Sequence, residues 1–205
     1  MKYVQLDKQE VIPSKIVCVG RNYVEHIQEL NNTIPDEMVI FVKPNSAISS
    51  QLQSFHGEAL HYETELCFMY QAGRFSAVAV GLDLTKRELQ SQLKQKGLPW
   101  EKSKAFNGSA LFSDFISIDE IDASLSFSLS IDNEQIQVGD IGLMIHSPQA
   151  ILAHILSFMS LEDGDIVMTG TPKGVGKVKP ESHYCAKAML NGETLITREW
   201  IAKDE

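Results

Sequence analysis

Short apolar runs bounded by turn residues recur along the chain, and most have the length and β-branched content of strands. Residues 1–12 read as a leading strand or hairpin that Pro13 breaks. Lys15-Ile16-Val17-Cys18-Val19-Gly20 predicts a buried strand, Met38–Pro44 another ended by its proline, and Ala77–Asp83 a third. Between residues 112 and 138 apolar and polar positions alternate, at Phe115–Ile118, Leu125–Ile131 and Ile136–Val138, with Asp132-Asn133 at a turn. That is the pattern of antiparallel sheet with one wet face. Residues 183–200 read as a further hairpin turning at Asn191-Gly192.

Helical signals are fewer. Asn22 is placed as the N-cap of a short helix reaching Leu30. Thr85-Lys86-Arg87-Glu88 has the spacing of a capping box and opens a helix that Gly97 closes, with Pro99 just beyond. Ser147-Pro148 starts an amphipathic helix running to about Met159, with Ile151, Leu152 and Ile155 on its apolar side. Asn31–Glu37, residues 45–58 and the stretch from Gly97 to Phe106 read as loops, and Glu162–Asp165 as a tight turn into Ile166–Thr169.

Composition narrows the function classes. A chain of 205 residues with 43% hydrophobic content can bury the core of one domain. The net charge of −9 argues against nucleic acid and anionic membranes as partners. No apolar run reaches the length of a membrane span, and the opening residues lack a signal-peptide layout. Cys18, Cys67 and Cys185 are far apart and form no CxxC, which fits buried thiols in a reducing cytoplasm.

The candidate chemistry centres on Leu60-His61-Tyr62-Glu63-Thr64-Glu65-Leu66. Alternate strand side chains share a face, so Glu63 and Glu65 point the same way and repel each other unless a cation sits between them. All-oxygen ligands favour a hard ion, Mg²⁺ first. Read alone, the pair is also what a solvent-facing strand edge looks like. Asp83, at the end of the next strand-like run, would complete a carboxylate triad. His61 shares the strand parity of the two glutamates and is placed beside them in a hydrogen-bonding role.

Other polar residues cluster around this centre. His26 and Glu29 are three apart on the first helix, as a carboxylate-oriented general base would be, or an ordinary surface pair. Arg87 and Gln90 lie on one helix face near Asp83, suited to clamping a substrate carboxylate. Lys86 and Lys94 read as solvated charges. Lys43 could reach an anion or simply end a strand, and Lys104, taken alone, reads as a surface lysine. Gly170-Thr171-Pro172-Lys173-Gly174-Val175-Gly176 could offer N–H groups and the Thr171 hydroxyl to an anion, but it fits neither a P-loop nor a dinucleotide fingerprint.

Five stretches, in order, resemble the fumarylacetoacetate hydrolase (FAH) family. They are Val17–Tyr23 with His26 and Glu29, His61-x-Glu63-x-Glu65-Leu66, Leu82–Thr85, Lys96–Trp100 with Lys104, and Thr169–Gly176. The likeness spans about residues 15–180 and is nearest the acylpyruvases, fumarylpyruvate hydrolases and oxaloacetate decarboxylases or tautomerases. It implies an α+β fold, a mixed β-roll with a few flanking helices, as a single FAH-type catalytic domain over residues 1–205. It also implies a homodimer, Mg²⁺ or Mn²⁺, and a small 2-oxo acid substrate. By position it assigns the metal to Glu63, Glu65 and Asp83, and water activation to His26 and Glu29. Substrate contacts fall to Arg21, Arg87, Gln90, Lys104 and Thr171, with Lys104 also steadying developing charge. Cys67 and Asn107–Ala110 depart from the family's usual residues and bear on the far end of the pocket.

The reaction expected from the resemblance is metal-assisted hydrolytic cleavage of a carbon–carbon bond in an acylpyruvate or fumarylpyruvate. Oxaloacetate decarboxylation or tautomerisation could be served by the same site. A 2-hydroxyhepta-2,4-diene-1,7-dioate-type isomerase or decarboxylase is the alternative enzyme. A non-catalytic binder of metal and 2-oxo acid is the alternative class.

Overall fold

The structure, a computed structural model, describes residues 1–204; Glu205, the last residue of the expected domain, lies outside the described residues. An antiparallel hairpin of β1 (Val4–Leu6) and β2 (Gln9–Val11) opens the chain. Then come β3 (Lys15–Gly20), helix α1 (Val24–Glu29) and β4 (Val39–Pro44). Next are β5 (Leu60–Tyr62), β6 (Thr64–Gln71), β7 (Arg74–Asp83) and β8 (Thr85–Lys86), followed by helices α2 (Arg87–Gln95) and α3 (Glu101–Lys104). The chain continues through β9 (Ala110–Phe112), β10 (Ile116–Ser117), β11 (Ser126–Ile131), β12 (Glu134–Asp140) and helix α4 (Pro148–Leu156). It closes with β13 (Ile166–Met168), β14 (Gly176–Lys177) and the hairpin of β15 (His183–Leu190) and β16 (Glu193–Ile201).

The largest sheet runs β10-β7-β6-β13-β3-β4, with β9 also on β7. It is mixed: β13 lies parallel to β3 and antiparallel to β6. Both its faces are covered, which is why its strands read as nearly unbroken apolar runs. Val17, Val19, Leu66, Phe68, Val78 and Val80 share a core with Phe127, Leu129, Ala186 and Ala188 of the second sheet, β12-β11-β15-β16. The opposite parity, Ile16, Cys18, Cys67, Met69, Ala77 and Ala79, joins Phe112 and Phe115 in a smaller core. Many of these inner residues are small, because the sheet curls over them into a roll. Past β4, Ile48 bridges Ala110 in parallel and the Ser49 N–H donates to the Ala110 carbonyl at 2.9 Å, tying the two edges together. Gly81 permits the close approach of β9, since a Cβ there would lie 2.6 Å from the Leu111 carbonyl oxygen.

The expected hairpins, the antiparallel sheet and the Ser147 cap are present; the Ser147 hydroxyl accepts from the Ala150 N–H at 3.3 Å. Four local expectations are corrected. Helix α1 starts after Tyr23, not Asn22, because the Asn22 amide is engaged elsewhere: it donates to the Thr169 and His146 carbonyls and accepts from the His146 N–H at 2.7 Å. The capping box does not form. Thr85 is drawn into the interior, and Glu58 reaches the start of α2 from a distant loop, accepting from the Glu88 N–H at 3.0 Å. Helix α4 ends at Leu156, short of Met159, and part of the loop expected between Gly97 and Phe106 is helix α3. Cys18 and Cys67 are buried as expected, while Cys185 is half-buried. Among the described residues no helix is long and apolar enough to cross a membrane.

The two parallel strands are joined at their starts by Asp165, which is fully buried. Its Oδ1 accepts from the Ser14 N–H, the Ser14 hydroxyl and the Lys15 N–H, and its Oδ2 accepts from the Glu162 N–H and the Lys15 ammonium. Burial alone would raise its pKa, but Lys15 and these donors outweigh it and hold the carboxyl below the usual aspartate range. Its contribution to stability is therefore complete above the unfolded-state pKa and is lost as pH falls through the lowered one. Asp165→Ala should cost about 3 kcal/mol, read as a lower urea midpoint at neutral pH, with the deficit shrinking in acid.

Candidate active site

Strand register assembles the acidic centre. Glu65 pairs across from Gly81 and Thr64 from Leu82. The next pair along is Glu63 and Asp83, with the Asp83 N–H donating to the Glu63 carbonyl at 2.8 Å. Glu63, Glu65 and Asp83 thus share one sheet face, at the mouth of the roll, and all three are buried. One ligand oxygen from each lies within 4.8 Å of the others. The strand is interrupted at Glu63, between β5 and β6, and His61 goes to the separate β14-β5-β8 sheet. His61 makes no hydrogen bond to the acids among the described residues, contrary to the role placed on it.

Three cations lean on this centre. The Lys104 ammonium lies 2.7 Å from both Glu63 Oε2 and Asp83 Oδ2 and donates to the Thr85 hydroxyl at 2.6 Å. The Arg87 guanidinium pairs with Glu63 Oε1 and, at 2.9 Å, with Gln90 Oε1. Lys43, fully buried, holds the Lys104 carbonyl and reaches within 2.8 Å of Asp83 Oδ1. Burial would raise the Glu63 pKa, but Lys104, then Arg87 and His26, hold it well below the carboxylate range. Burial likewise works against the charged form of Lys104, and Asp83 and Glu63 outweigh it, so its pKa is raised. Glu65 goes the other way. Burial, then Asp83 and Glu63, push it well up, and the Gly170 N–H at 2.7 Å only partly offsets them.

This donor set fits a hard divalent cation. Glu65 has no ion-pair partner among the described residues, and Asp83 Oδ1 is buried without a hydrogen bond of good geometry. Both lacks would be met by one ion shared between three carboxylates.

On the facing wall, His26 Nδ1 lies 3.4 Å from Glu29 Oε2, and Glu29 Oε1 accepts from the Gly174 N–H at 3.0 Å. Burial lowers the His26 pKa; Arg87 adds to this, against Glu63 and Glu29. The imidazole is therefore neutral near pH 7. The glycine-rich loop thus directs two N–H groups to Glu65 and Glu29 rather than to an external anion. Thr171 is buried, and its hydroxyl accepts from the Gln137 amide at 2.9 Å. His26, Arg21, Arg87, Gln90, Lys104 and Thr171 line one cavity with the three acids. Of the residues that the resemblance assigned, Glu29 alone is not on the cavity wall; it stands behind His26.

Several neighbours escape the sequence reading or differ from it. Lys43 carried a usable signal, since a lysine inside Val39–Val42 and Pro44 is costly to bury without an acid. Lys94 lies half-buried on the cavity wall, not in solvent, and Lys86 sits over the Phe106 ring. Gln137 had no signal within its own strand. It accepts from the Thr64 N–H at 3.1 Å, between the two glutamates, and donates to the Thr171 hydroxyl and the Pro172 carbonyl.

By fold and site this is a β-roll protein with a buried carboxylate centre able to hold a metal ion. Residues 15–197 match the fumarylacetoacetate (FAA) hydrolase C-terminal family, and the chain belongs to that family. It is 37% identical over 204 residues to an oxaloacetate tautomerase, YcgM, of Escherichia coli, spanning 90% of this chain and 92% of that one. It is 36% identical over 199 residues to the human mitochondrial oxaloacetate tautomerase FAHD1, covering 89% of each. The fumarylpyruvate hydrolase of Pseudomonas aeruginosa, solved with Mn²⁺ and pyruvate, superposes with a TM-score of 0.88 at 27% identity, over 100% of this chain and 96% of that one.

Proposed function

We propose that the protein is a divalent-metal-dependent enzyme of enolisable 2-oxo acids, and that keto–enol tautomerisation of oxaloacetate is its first activity. The observation that carries this is the sharing of one cavity by the carboxylate triad and a neutral, carboxylate-oriented imidazole. The names of the Escherichia coli and human relatives support the choice of oxaloacetate. Glu63, Glu65 and Asp83 would hold Mg²⁺ or Mn²⁺, which supplies a Lewis acid for the 2-oxo oxygen and the adjacent carboxylate.

The chain's own groups do the rest. A proton on His26 Nδ1, shared with Glu29, leaves Nε2 as the base that takes a proton from the substrate's C3. The C–H electron pair becomes the C2–C3 double bond, and negative charge moves to the 2-oxo oxygen. The Lys104 ammonium steadies that charge in a buried setting. Return of the proton to this oxygen completes the enol. Open space in the cavity is only about 30 Å³ while Arg87 and Lys104 lie against the acids. These two cations are placed to serve as the substrate's carboxylate and oxyanion partners. Arg21, Gln90 and Thr171 complete the wall.

A second reading, hydrolytic cleavage of acylpyruvate-type β-diketo acids, is favoured by the likeness to the Pseudomonas aeruginosa fumarylpyruvate hydrolase. There His26 would take its proton from water instead. The family resemblance also supports a homodimer, and the free cysteines support a reducing cytoplasm.

The test uses metal-stripped protein with and without Mg²⁺ or Mn²⁺. Ketonisation of enol-oxaloacetate, pyruvate release from oxaloacetate and loss of acetylpyruvate are followed separately. Metal-dependent ketonisation without pyruvate supports the first reading. Pyruvate from oxaloacetate makes the enzyme a decarboxylase, and pyruvate from acetylpyruvate supports the second reading. No metal-dependent change in either substrate sinks both. Because burial lowers the His26 pKa, the acid limb of the kcat/KM profile should fall below the ordinary histidine value near 6.5. An acid limb above that value would remove His26 as the base.

A further inference from the structure

Helix α2 turns one stripe toward the cavity: Arg87, Gln90 and Lys94, at i, i+3 and i+7. Arg87 and Gln90 are bound to each other and, through Arg87, to Glu63. Lys94 stands beyond them. Its ammonium rests 4.8 Å from the centre of the Trp100 ring and has no carboxylate within ion-pairing distance among the described residues. Arg21, just past β3 in a left-handed conformation (φ 59°), lines the same cavity, and its charge acts on Lys94. Among the described residues the one hydrogen bond of Arg21 there is a long one, 3.4 Å to the Asn32 side chain, and its buried Nε has no partner.

We propose that Lys94 and Arg21 form a subsite for a second carboxylate, so that the enzyme selects 2-oxo acids carrying an acidic group at both ends. The inference rests on the 2-oxo acid reading above and names its substrate class. The charge inventory favours it. The cavity gathers Arg21, Arg87, Lys94 and Lys104 against Glu63, Glu65 and Asp83. A divalent ion in the triad would leave a clear positive excess at the far end. Burial, then Arg21 and Arg87, push the Lys94 amine down to about 8, and Glu63 offsets them only in part. It is still protonated at neutral pH and available to a carboxylate. The Lys94 ammonium lies over the Trp100 face and is half-buried, so a charge-assisted bond made here is stronger than at an open surface.

The test is equilibrium binding to Mg²⁺-loaded protein, with oxaloacetate and pyruvate as the probes. Wild type should bind oxaloacetate more tightly than pyruvate. Lys94→Met should raise the Kd for oxaloacetate by about tenfold and leave that for pyruvate within about twofold, and Lys94→Arg should recover most of the loss. In turnover the Lys94→Met effect should fall on KM rather than kcat. Equal weakening of both ligands, or none of oxaloacetate, overturns the subsite and leaves the 2-oxo acid reading standing. Wild-type protein that binds neither ligand overturns both.

Discussion

Glu65→Gln should abolish tight binding of Mg²⁺ or Mn²⁺ and lower metal-dependent turnover by on the order of a thousandfold, while making the metal-free protein more stable. The two effects have one origin. Glu65 is buried beside Asp83 and Glu63, and the Gly170 N–H is the one hydrogen-bond donor to its carboxylate among the described residues. Its raised pKa means that ionisation opposes folding, so its stabilising form is the protonated one, lost as pH rises through the raised value. An isosteric amide keeps an oxygen for Gly170 and removes the repulsion. Asp83→Asn should behave differently, because it also leaves the Lys43 and Lys104 ammonium groups facing a neutral side chain, and the fold should weaken. Thermal melts with and without metal, alongside calorimetric metal titration, separate these outcomes. A Glu65→Gln protein that binds metal like wild type would remove the triad as the ion's site, and one whose metal-free form melts lower would remove carboxylate repulsion as a cost to folding.

His26→Ala should lower kcat by about 10²–10⁴-fold and change ligand affinity only a few-fold. The imidazole is buried, so its neutral form is favoured, and Glu29 with the Gly174 N–H behind it fixes the ring. Glu29→Gln should lose less, since it weakens orientation but leaves the base. Steady-state kinetics on enol-oxaloacetate, with pyruvate binding as the control for site integrity, measures both. If His26→Ala retains wild-type kcat, proton transfer belongs to another group. If pyruvate binding is lost as well, the residue shapes the site rather than acting on substrate.

Much of this site is legible in the amino-acid sequence. Strand parity alone puts Glu63 and Glu65 on one face, and helical spacing puts His26 beside Glu29. The hairpins at Asp132-Asn133 and Asn191-Gly192 can be read from local turn chemistry, and Ser147-Pro148 from local capping. Where local reading fails, a distant partner has displaced the nearby one. Asn22 could have capped α1 but is held by His146 and Thr169, and Thr85 could have capped α2 but is held by Lys104. A capping bond competes with any other donor or acceptor in reach, and sequence spacing cannot show the competitors.

The sequence by itself determined most of the elements, their buried faces and the identity of the acidic ligand candidates, because these depend largely on periodicities of two and 3.6 residues along one chain. The meeting of the groups was decided by tertiary structure. Register across β6 and β7 set Asp83 opposite Glu63, and the curl of the sheet brought Lys43 of β4 to the same carboxylate. Whether a lysine such as Lys43 or Lys104 is a solvated charge or a partner to an acid depends on which strands close over it, and that is a property of the roll, not of any segment within it.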